Sequence, residues 1–342
     1  MKFFVAVLCS LFSSSFVNGQ VTQADHDSTF ISAYPDMITT RFYFSQKYTN
    51  FTIGADKGTP DLIYRPNTTL NMGVGATYRF LTLNLAYGFG FLNNDHEKGK
   101  TKYLDLQSHL YSRKWAIDLS GQFYKGYYLN NKQIGYPGNV AYYVRPDIGI
   151  TLLGGSAYRV LNSRNFSFGA ATLLNEWQTK SAGSFLVGAE VFYGVISGDS
   201  AFVPTALAAK YDQVGIRKIH MMKLGPGAGY AYTYVYDKHF FLTGAFTANI
   251  NAGLVREYTT AGSTDRVTFS PNYIYRFALG YNSAVWACNF MLVGNEVNFR
   301  GAASPNNNFV RTGNFRLNLT KRLMPGPATK KRLHFLDDFL DR

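Results

Sequence analysis

The stretch LTLNLAYGFGF, residues 81–91, alternates large apolar side chains with small or polar ones. The odd positions carry leucine, tyrosine and phenylalanine, and the even positions carry threonine, asparagine, alanine and glycine. Because successive side chains of a β-strand point to opposite faces, this pattern predicts a strand with one apolar and one polar face. A soluble β-sandwich would bury the apolar face, whereas a transmembrane barrel would turn it toward lipid and its polar face toward a lumen.

The same alternation recurs along the chain from about residue 39 to residue 323. It is found in LNMGVGATYRF (70–80), YLDLQSHL (103–110), WAIDLSGQF (115–123), YAYTYVY (230–236) and FRLNLTKRL (315–323). Tight turns are predicted at 80–81, 112–114, 160–165, 236–238 and 282–284, and long polar loops at 55–67, 93–100, 126–141, 253–266 and 299–308. Short turns on one side and longer loops on the other are typical of outer-membrane barrels. We therefore expect an all-β chain that forms a single transmembrane antiparallel up-and-down β-barrel of 12 to 14 strands.

The composition also favours a membrane barrel. Only 16% of the 342 residues are charged, below the roughly 25% of soluble domains, and 16% are aromatic. Abundant aromatic residues suit membrane-interface girdles, although a carbohydrate-binding sandwich also carries them. After residue 20 the sequence has no run of 18 apolar residues, which argues against a helical span. The net charge of +13 favours phosphate-bearing lipid headgroups or acidic solutes over nucleic acid, because no nucleic-acid recognition motif is present.

The chain is expected to contain four segments. MKFFVAVLCSLFSSSFVNGQ has a lysine, an apolar run and small residues near its end, which is typical of a signal peptide, here residues 1–19. Residues 20–38 are expected to form an N-terminal periplasmic segment, 39–323 the barrel, and 324–342 a periplasmic C-terminal tail. The tail predicts either a short helix that caps the periplasmic mouth or a peptide that docks a partner. Without the signal peptide, Cys288 is the only cysteine, so no disulfide bond closes within the chain.

The segment between 197 and 224 leaves two interpretations open. Directions assigned from the tight turns make the strands that end near Ile196 and Val235 both run toward the periplasm, so the chain must travel back between them. Either IRKIHMMKL (216–224) is a further strand, or SAFVPTALAAKYDQV (200–214) crosses the lumen as an irregular or helical plug. Barrels of about eight strands are filled by side chains, and wider ones leave a channel; a barrel of 12 to 14 strands lies between these, so a plug would decide whether the lumen is open.

Charged side chains on the predicted lumen faces are the candidates for a functional site: Arg79, Asp105, His109, Asp118, Glu190, Arg276 and Arg316. A hairpin joined near 112–113 is expected to place Asp118 opposite Gln107, with Asp105 and His109 one step away on the same face. One interpretation is that opposite charges neutralise each other inside a narrow barrel, because unpaired buried charge is costly. The other is a polar constriction that selects solutes, as charged rings do in pores.

The sequence carries no catalytic or cofactor motif, so we expect neither an enzyme nor a cofactor. It lacks Gly-x-Ser-x-Gly, His-Glu-x-x-His and clustered cysteine and histidine, so no metal site is predicted. Ser108 and His109 are adjacent and therefore point to opposite faces of a strand. The glycines of GPGAGY (225–230) precede a strand, whereas a phosphate-binding glycine loop opens a helix, so they predict a bend or bulge.

Four stretches resemble one known family. They are HDSTFISAYPDMITTRFYFSQKYTNFTI (26–53), IYRPNTTLNMGVGATYRFLTLNLAYGFGF (63–91), DSAFVPTALA (199–208) and GPGAGYAYTYVYDKHFFLTGAF (225–246). With these motifs the chain resembles, over roughly residues 26–323, a Gram-negative outer-membrane β-barrel family catalogued as domain of unknown function 4421. The resemblance implies a barrel and an outer-membrane location, and it implies no substrate.

Two roles follow from these expectations. The first is a narrow porin-like channel, or a binding barrel for a small polar solute, in the outer membrane of a Gram-negative bacterium. The alternative is a non-conducting structural barrel that anchors or assembles an envelope complex. The expected partners are outer-membrane lipid and lipopolysaccharide, a small polar solute, and a periplasmic partner that binds the C-terminal tail. A soluble, exported β-sandwich remains the architectural alternative.

Overall fold

The computed structural model describes residues 25–327 and 329, apart from 79–80, 93–94, 138–140 and 304–305. The signal peptide predicted at 1–19 and most of the tail predicted at 324–342 lie outside the described residues. Helical turns occupy Gly90–Leu92, Asn131–Ile134, Gly169–Leu173 and Thr205–Lys210, and none of those described is long and apolar enough to cross a membrane. The strands are β1 (Ile31–Ala33), β2 (Ile38–Ile53), β3 (Leu62–Tyr64), β4 (Asn71–Tyr78), β5 (Leu81–Gly88), β6 (Lys102–Tyr111), β7 (Trp115–Asn130), β8 (Tyr142–Val160), β9 (Glu176–Gln178), β10 (Ala182–Ser197), β11 (Lys218–Tyr236), β12 (Phe240–Tyr258), β13 (Ser263–Asn282), β14 (Trp286–Phe299) and β15 (Asn308–Leu323).

Twelve of these strands form one antiparallel sheet, in the order β5-β4-β2-β15-β14-β13-β12-β11-β10-β8-β7-β6. The short strand β3 pairs with the end of β2, and β1 and β9 form a separate two-stranded ribbon. Most neighbours in the large sheet follow one another in sequence, so it is an up-and-down meander with one long-range join, between β2 and β15. The prediction of an all-β antiparallel fold with 12 to 14 strands is confirmed.

The alternation of side chains determines which face of each strand is exposed. In β12 the outward Phe246 and Ile250 are 51% and 70% exposed, whereas the inward Thr247 and Asn249 are fully buried at 0%. Leu85, in the alternating stretch 81–91, is likewise exposed. Within the described part of the chain, no second sheet covers this apolar face. The β-sandwich alternative is therefore wrong.

Side chains from distant strands meet across the interior because the sheet curls into a barrel. Lys47 Nζ of β2 lies 3.3 Å from Asp105 Oδ1 of β6, although these strands are near opposite ends of the sheet order. Similarly, Arg276 of β13 forms an ion pair with Asp118 of β7. The edge strands β5 and β6 have no backbone pairing with each other in the described ranges, and Lys47 donates to the main-chain oxygen of Asp105 on that side at 3.0 Å.

The strand-to-strand join predicted at 160–165 is wrong: a turn occupies residues 161–165, but it leads into an inward segment and not into the next barrel strand, which corrects the strand directions. β8 ends at Val160 and β10 begins at Ala182, so residues 161–181 remain at the end of the barrel that carries the short turns. β10 therefore runs toward the long loops, opposite to the expected direction, and β11 returns. IRKIHMMKL is not an additional strand, because residues 218–224 form the first part of β11. The remaining interpretation of this region, a plug, agrees with the structure.

Two further predictions, one of a loop and one of a cross-strand pair, need correction. Residues 253–266, expected as a long loop, instead extend β12 and β13, which are joined at 259–262. Asp118 lies opposite His109 rather than Gln107. The turn between β6 and β7 is centred one residue later than predicted, and a change of one residue at the turn shifts every cross-strand pairing by two.

Candidate functional site

Two connecting segments fold into the barrel interior, one at each end. We call them the 161–181 plug and the 198–217 plug. The 198–217 plug buries the side chains of Phe202, Val203, Leu207, Tyr211 and Ile216 in one apolar cluster with residues at the long-loop ends of the strands. This end of the barrel is thus filled by apolar side chains, and the burial of a Phe or Leu side chain contributes about 1.5–3 kcal/mol.

Polar contacts also anchor the 198–217 plug to the barrel. Arg145 of β8 donates from Nη1 to the main-chain oxygen of Ala201 at 2.8 Å. Tyr211 donates its hydroxyl to the main-chain oxygen of Pro60 at 2.6 Å. Burial raises the pKa of Tyr211 above its ordinary value, so the hydroxyl stays protonated and able to donate. The plug is therefore attached both to the barrel wall and to the loop that follows β2.

The 161–181 plug fills the short-turn end with the helical turn Gly169–Leu173, whose first four residues are buried. Charged side chains that point inward from the strands donate to its main-chain oxygens. Arg41 Nη2 of β2 reaches the oxygen of Leu173 at 3.0 Å, and Arg322 Nη2 of β15 reaches that of Leu174 at 2.7 Å. An irregular segment inside a barrel leaves carbonyl groups without secondary-structure partners, and these arginines supply the missing donors.

Between the two plugs lies a layer of charged side chains, centred on Asp118. Its carboxylate accepts hydrogen bonds from His109 Nδ1 at 2.6 Å and from the Tyr111 hydroxyl at 3.0 Å, and it forms an ion pair with Arg276. His109 and Tyr111 come from the neighbouring β6, whereas Arg276 comes from β13 across the interior. A carboxylate with three donors is well compensated for its burial, as the charge-neutralising interpretation requires.

The other acidic side chain on β6, Asp105, has partners of its own. Its Oδ1 lies 3.3 Å from Lys47 Nζ, and its Oδ2 accepts from the Tyr124 hydroxyl at 2.6 Å. Arg316 of β15 is not paired with a carboxylate in the described structure. Its guanidinium lies over the ring of Tyr43, 4.4 Å from the ring centroid. Stacking of this kind stabilises a guanidinium that has little access to water.

A third group surrounds Glu190, on the β10 side of the interior. Glu190 Oε1 accepts from Asn251 Nδ2 at 2.5 Å and from Asn272 Nδ2 at 2.6 Å. The buried Lys223 donates to Ser270 Oγ at 2.6 Å and to Asn272 Oδ1 at 2.8 Å. Asn272 therefore bridges a buried anion and a buried cation, and the two charges belong to one hydrogen-bonded network.

Most of the charged side chains predicted to face the lumen do point into the barrel interior. Six of them point into the interior: Asp105, His109, Asp118, Glu190, Arg276 and Arg316. Only His109, Asp118 and Arg276 are brought into direct contact, and Arg79 lies outside the described residues.

Five inward cations with structural contacts were not among the candidates predicted from the sequence: Arg41, Lys47, Arg145, Lys223 and Arg322. Each alternates with outward apolar residues in its strand, and that alternation was the available signal.

A small cavity lies in the middle of this charged layer. It has a volume of about 30 Å³, and His109, Asp118, Ser156 and Asn295 are among its lining residues. His109 Nε2, Ser156 Oγ and Asn295 Oδ1 are buried without a hydrogen-bond partner in the described structure. The space accommodates one or two water molecules, which would satisfy these atoms, and it is too small for an organic solute. Among the residues described, no cluster of three His, Cys, Asp or Glu side chains could hold a metal ion.

Comparison with known proteins identifies a family. A family model described as "Domain of unknown function (DUF4421)" matches residues 25–320. Among solved structures, outer-membrane expressed OmpT of Vibrio cholerae is 9% identical with a TM-score of 0.27, covering 85% of this chain and 100% of that chain. A bacterial polysaccharide outer membrane secretin is 7% identical with a TM-score of 0.32, covering 83% and 98%. The Pseudomonas putida toluene transporter TodX is 7% identical with a TM-score of 0.23, covering 84% and 90%. No curated protein matches the chain. Because the family model spans most of its length, the chain belongs to the DUF4421 family.

Proposed function

We propose that this protein is a transmembrane β-barrel of the outer membrane of a Gram-negative bacterium, and that it is a non-conducting structural barrel that anchors or assembles an envelope complex. The observation that carries the proposal is the filling of the interior at both ends by the chain's own 161–181 and 198–217 plugs. A barrel closed in this way offers its loops and rims, rather than its lumen, to other molecules.

The apolar outer face supports a position in a membrane. On β12 the outward side chains from Phe240 to Leu254 are apolar or glycine, and Arg256 begins the polar region above them. These residues cover about 48 Å of strand, or about 34 Å of height at a tilt of ~45°, which is close to the ~30 Å hydrocarbon thickness of a bilayer. At the short-turn end, Tyr236 and Trp286 are exposed, as expected for an aromatic girdle.

The contacts of both plugs support closure rather than passage. The 198–217 plug contributes five buried apolar side chains, and the 161–181 plug accepts hydrogen bonds from Arg41 and Arg322. In the charged layer between them, Asp105 and Asp118 are each paired with a cation, and the cavity of about 30 Å³ admits only water-sized molecules. A conducting path would require both plugs to move, with the loss of all these contacts.

Planar-bilayer recording tests the proposal. We expect the reconstituted wild-type barrel to show no steady ionic current. A variant in which short glycine-serine linkers replace residues 164–179 and 200–215 should conduct, because it lacks both plugs. The double replacement is the control for correct insertion. A steady wild-type current comparable to that of the double replacement would overturn closure.

A second candidate function is a narrow porin-like channel or binding barrel for a small polar solute. The unpaired His109 Nε2 and Ser156 Oγ in the central cavity favour it, since they would offer hydrogen bonds to a solute that enters once a plug has moved and the cavity has widened. The same recording discriminates the two roles. A wild-type current that is saturated or blocked by a small polar solute supports this second candidate.

A further inference from the structure

A row of cations crosses the outer face of the barrel near its long-loop end. The cross-strand pairs run from Lys102 to Lys125, from Lys125 to Gly149, from Gly149 to Ser197 and from Ser197 to Lys218. All five positions lie on the outward face of their strands, and Lys102 and Lys125 are exposed. Three lysines therefore lie in one cross-strand row, and two of them, Lys102 and Lys125, are directly opposite each other.

These lysines have no carboxylate counterion in the described structure. None of the ion pairs found there includes Lys102, Lys125 or Lys218. Lys218 instead lies over the ring of Tyr258, 5.5 Å from its centroid. Like charges directly opposite each other on adjacent strands are destabilising. A bound anion at this level would relieve the repulsion between Lys102 and Lys125.

A groove begins at the lysine row, where Lys102 and Lys125 form part of its lining, and extends toward the short turns between apolar side chains. It has a volume of about 420 Å³ and includes Leu104, Phe123 and Val195 in its lining. Gly149 and Thr151 are part of the same lining, and the space between the larger neighbours stays open because Gly149 has no side chain and that of Thr151 is small. A groove of this kind fits a hydrocarbon chain, while the lysines above it fit a negatively charged group.

We propose that this groove binds a phosphorylated, acylated lipid of the membrane leaflet that faces the long loops. The phosphate lies between Lys102 and Lys125, and an acyl chain lies in the groove over Gly149 and Thr151. The inference rests on the proposed location in a membrane. A lipid is favoured over a soluble anion because the lysines stand at the upper edge of the apolar band, where headgroup phosphates lie.

Native mass spectrometry of the detergent-solubilised full-length barrel tests the proposal, with diphosphorylated lipid A as the probe. The variant Lys102→Gln/Lys125→Gln should bind it about thirty-fold more weakly, because each surface cation contributes about fivefold to the binding of anionic lipid. Lys57→Gln/Lys114→Gln makes the same change of charge at exposed positions away from the groove and should leave binding unchanged. Dephosphorylated lipid A should bind the wild type as weakly as lipid A binds the first variant.

A second variant tests the groove without any change of charge. A Cβ atom at Gly149 would meet only ordinary contacts, Ser197 Oγ and the Tyr124 main-chain oxygen, both at 3.7 Å, so Gly149→Leu should fold. Its side chain would occupy the groove and weaken lipid A binding at least tenfold, whereas inorganic phosphate should not compete.

Three outcomes would overturn the inference: unchanged lipid binding by both groove variants, equal loss in the control pair, or competition by inorganic phosphate. Each of these outcomes contradicts lipid binding in the groove alone. The proposal of a closed barrel is unaffected if the wild type still inserts into vesicles without conducting.

Discussion

Replacement of Asp118 by asparagine tests whether the central layer is held together by mutual neutralisation of charge. Asp118→Asn keeps the size of the side chain and removes its negative charge. Arg276 would then retain a buried positive charge without its partner. The side chains of Arg276 and Asp118 are only 2% and 14% exposed, so water cannot take over the role of the carboxylate.

The expected cost follows from this burial. Removal of one partner from a buried ion pair typically destabilises a protein by about 3–5 kcal/mol. The Tyr111 hydroxyl and His109 Nδ1 also lose the charged acceptor that they share, which keeps the estimate within that range. We therefore expect Asp118→Asn to lower the free energy of unfolding by about 3–5 kcal/mol. Urea unfolding of the barrel in lipid vesicles, followed by tryptophan fluorescence, measures this quantity.

Two controls sharpen the test. Asp265→Asn makes the same substitution in an exposed ion pair. Asp265 Oδ1 lies 2.5 Å from Arg256 Nε, but the side chains of Asp265 and Arg256 are 45% and 46% exposed. We expect no measurable change there, because exposed pairs contribute little. Asp118→Leu/Arg276→Met removes both charges and should recover most of the stability lost in Asp118→Asn. Equal, small losses in Asp118→Asn and Asp265→Asn would refute the reasoning.

Three other predictions concern the plugs and the outer face. Phe202→Ala should lower the free energy of unfolding by about 3–5 kcal/mol in the same urea assay, because it empties a fully enclosed site, whereas Val214→Ala at an exposed position of the same plug should have little effect. Arg322→Met removes donors to the 161–181 plug and should speed trypsin cleavage after Lys180 in detergent; an unchanged cleavage rate would show that the plug does not depend on this arginine. Cys288 is exposed on the outer face of β14, so in vesicles it should react with N-ethylmaleimide but not with a sulfonated, membrane-impermeant maleimide; rapid labelling by the charged reagent would contradict a lipid-facing position.

The faces of the strands could be predicted from the sequence. Leu85 and Ile250 are exposed, whereas Asn249 and Asp118 point inward, as the two-residue period requires. The period depends only on backbone geometry, so neither the curvature of the sheet nor the identity of the surrounding solvent alters it. Six of the seven candidate site residues are inward for this reason, and the seventh, Arg79, lies outside the described residues.

The contents of the interior could not be predicted in the same way. Residues 161–181 and 198–217 lack a two-residue period, and a segment without periodicity is equally compatible with a surface loop or a plug. The expected turn at 160–165 hid the first plug, and the resulting error in direction made the second one ambiguous. The partners of Asp118 depended on the register of one turn, where a difference of one residue exchanged Gln107 for His109.

The position of the plugs along the chain has a consequence for how the barrel is assembled. Both plugs lie within the meander from β6 to β15, whereas the join between β2 and β15 connects residues as distant as Thr40 and Lys321. Contacts between residues so far apart in sequence form late, since their loop-closure entropy is largest. The meander from β6 to β15 can therefore form with both plugs already inside it, and the late pairing of β2 with β15 then adds β2, β4 and β5 to its edge.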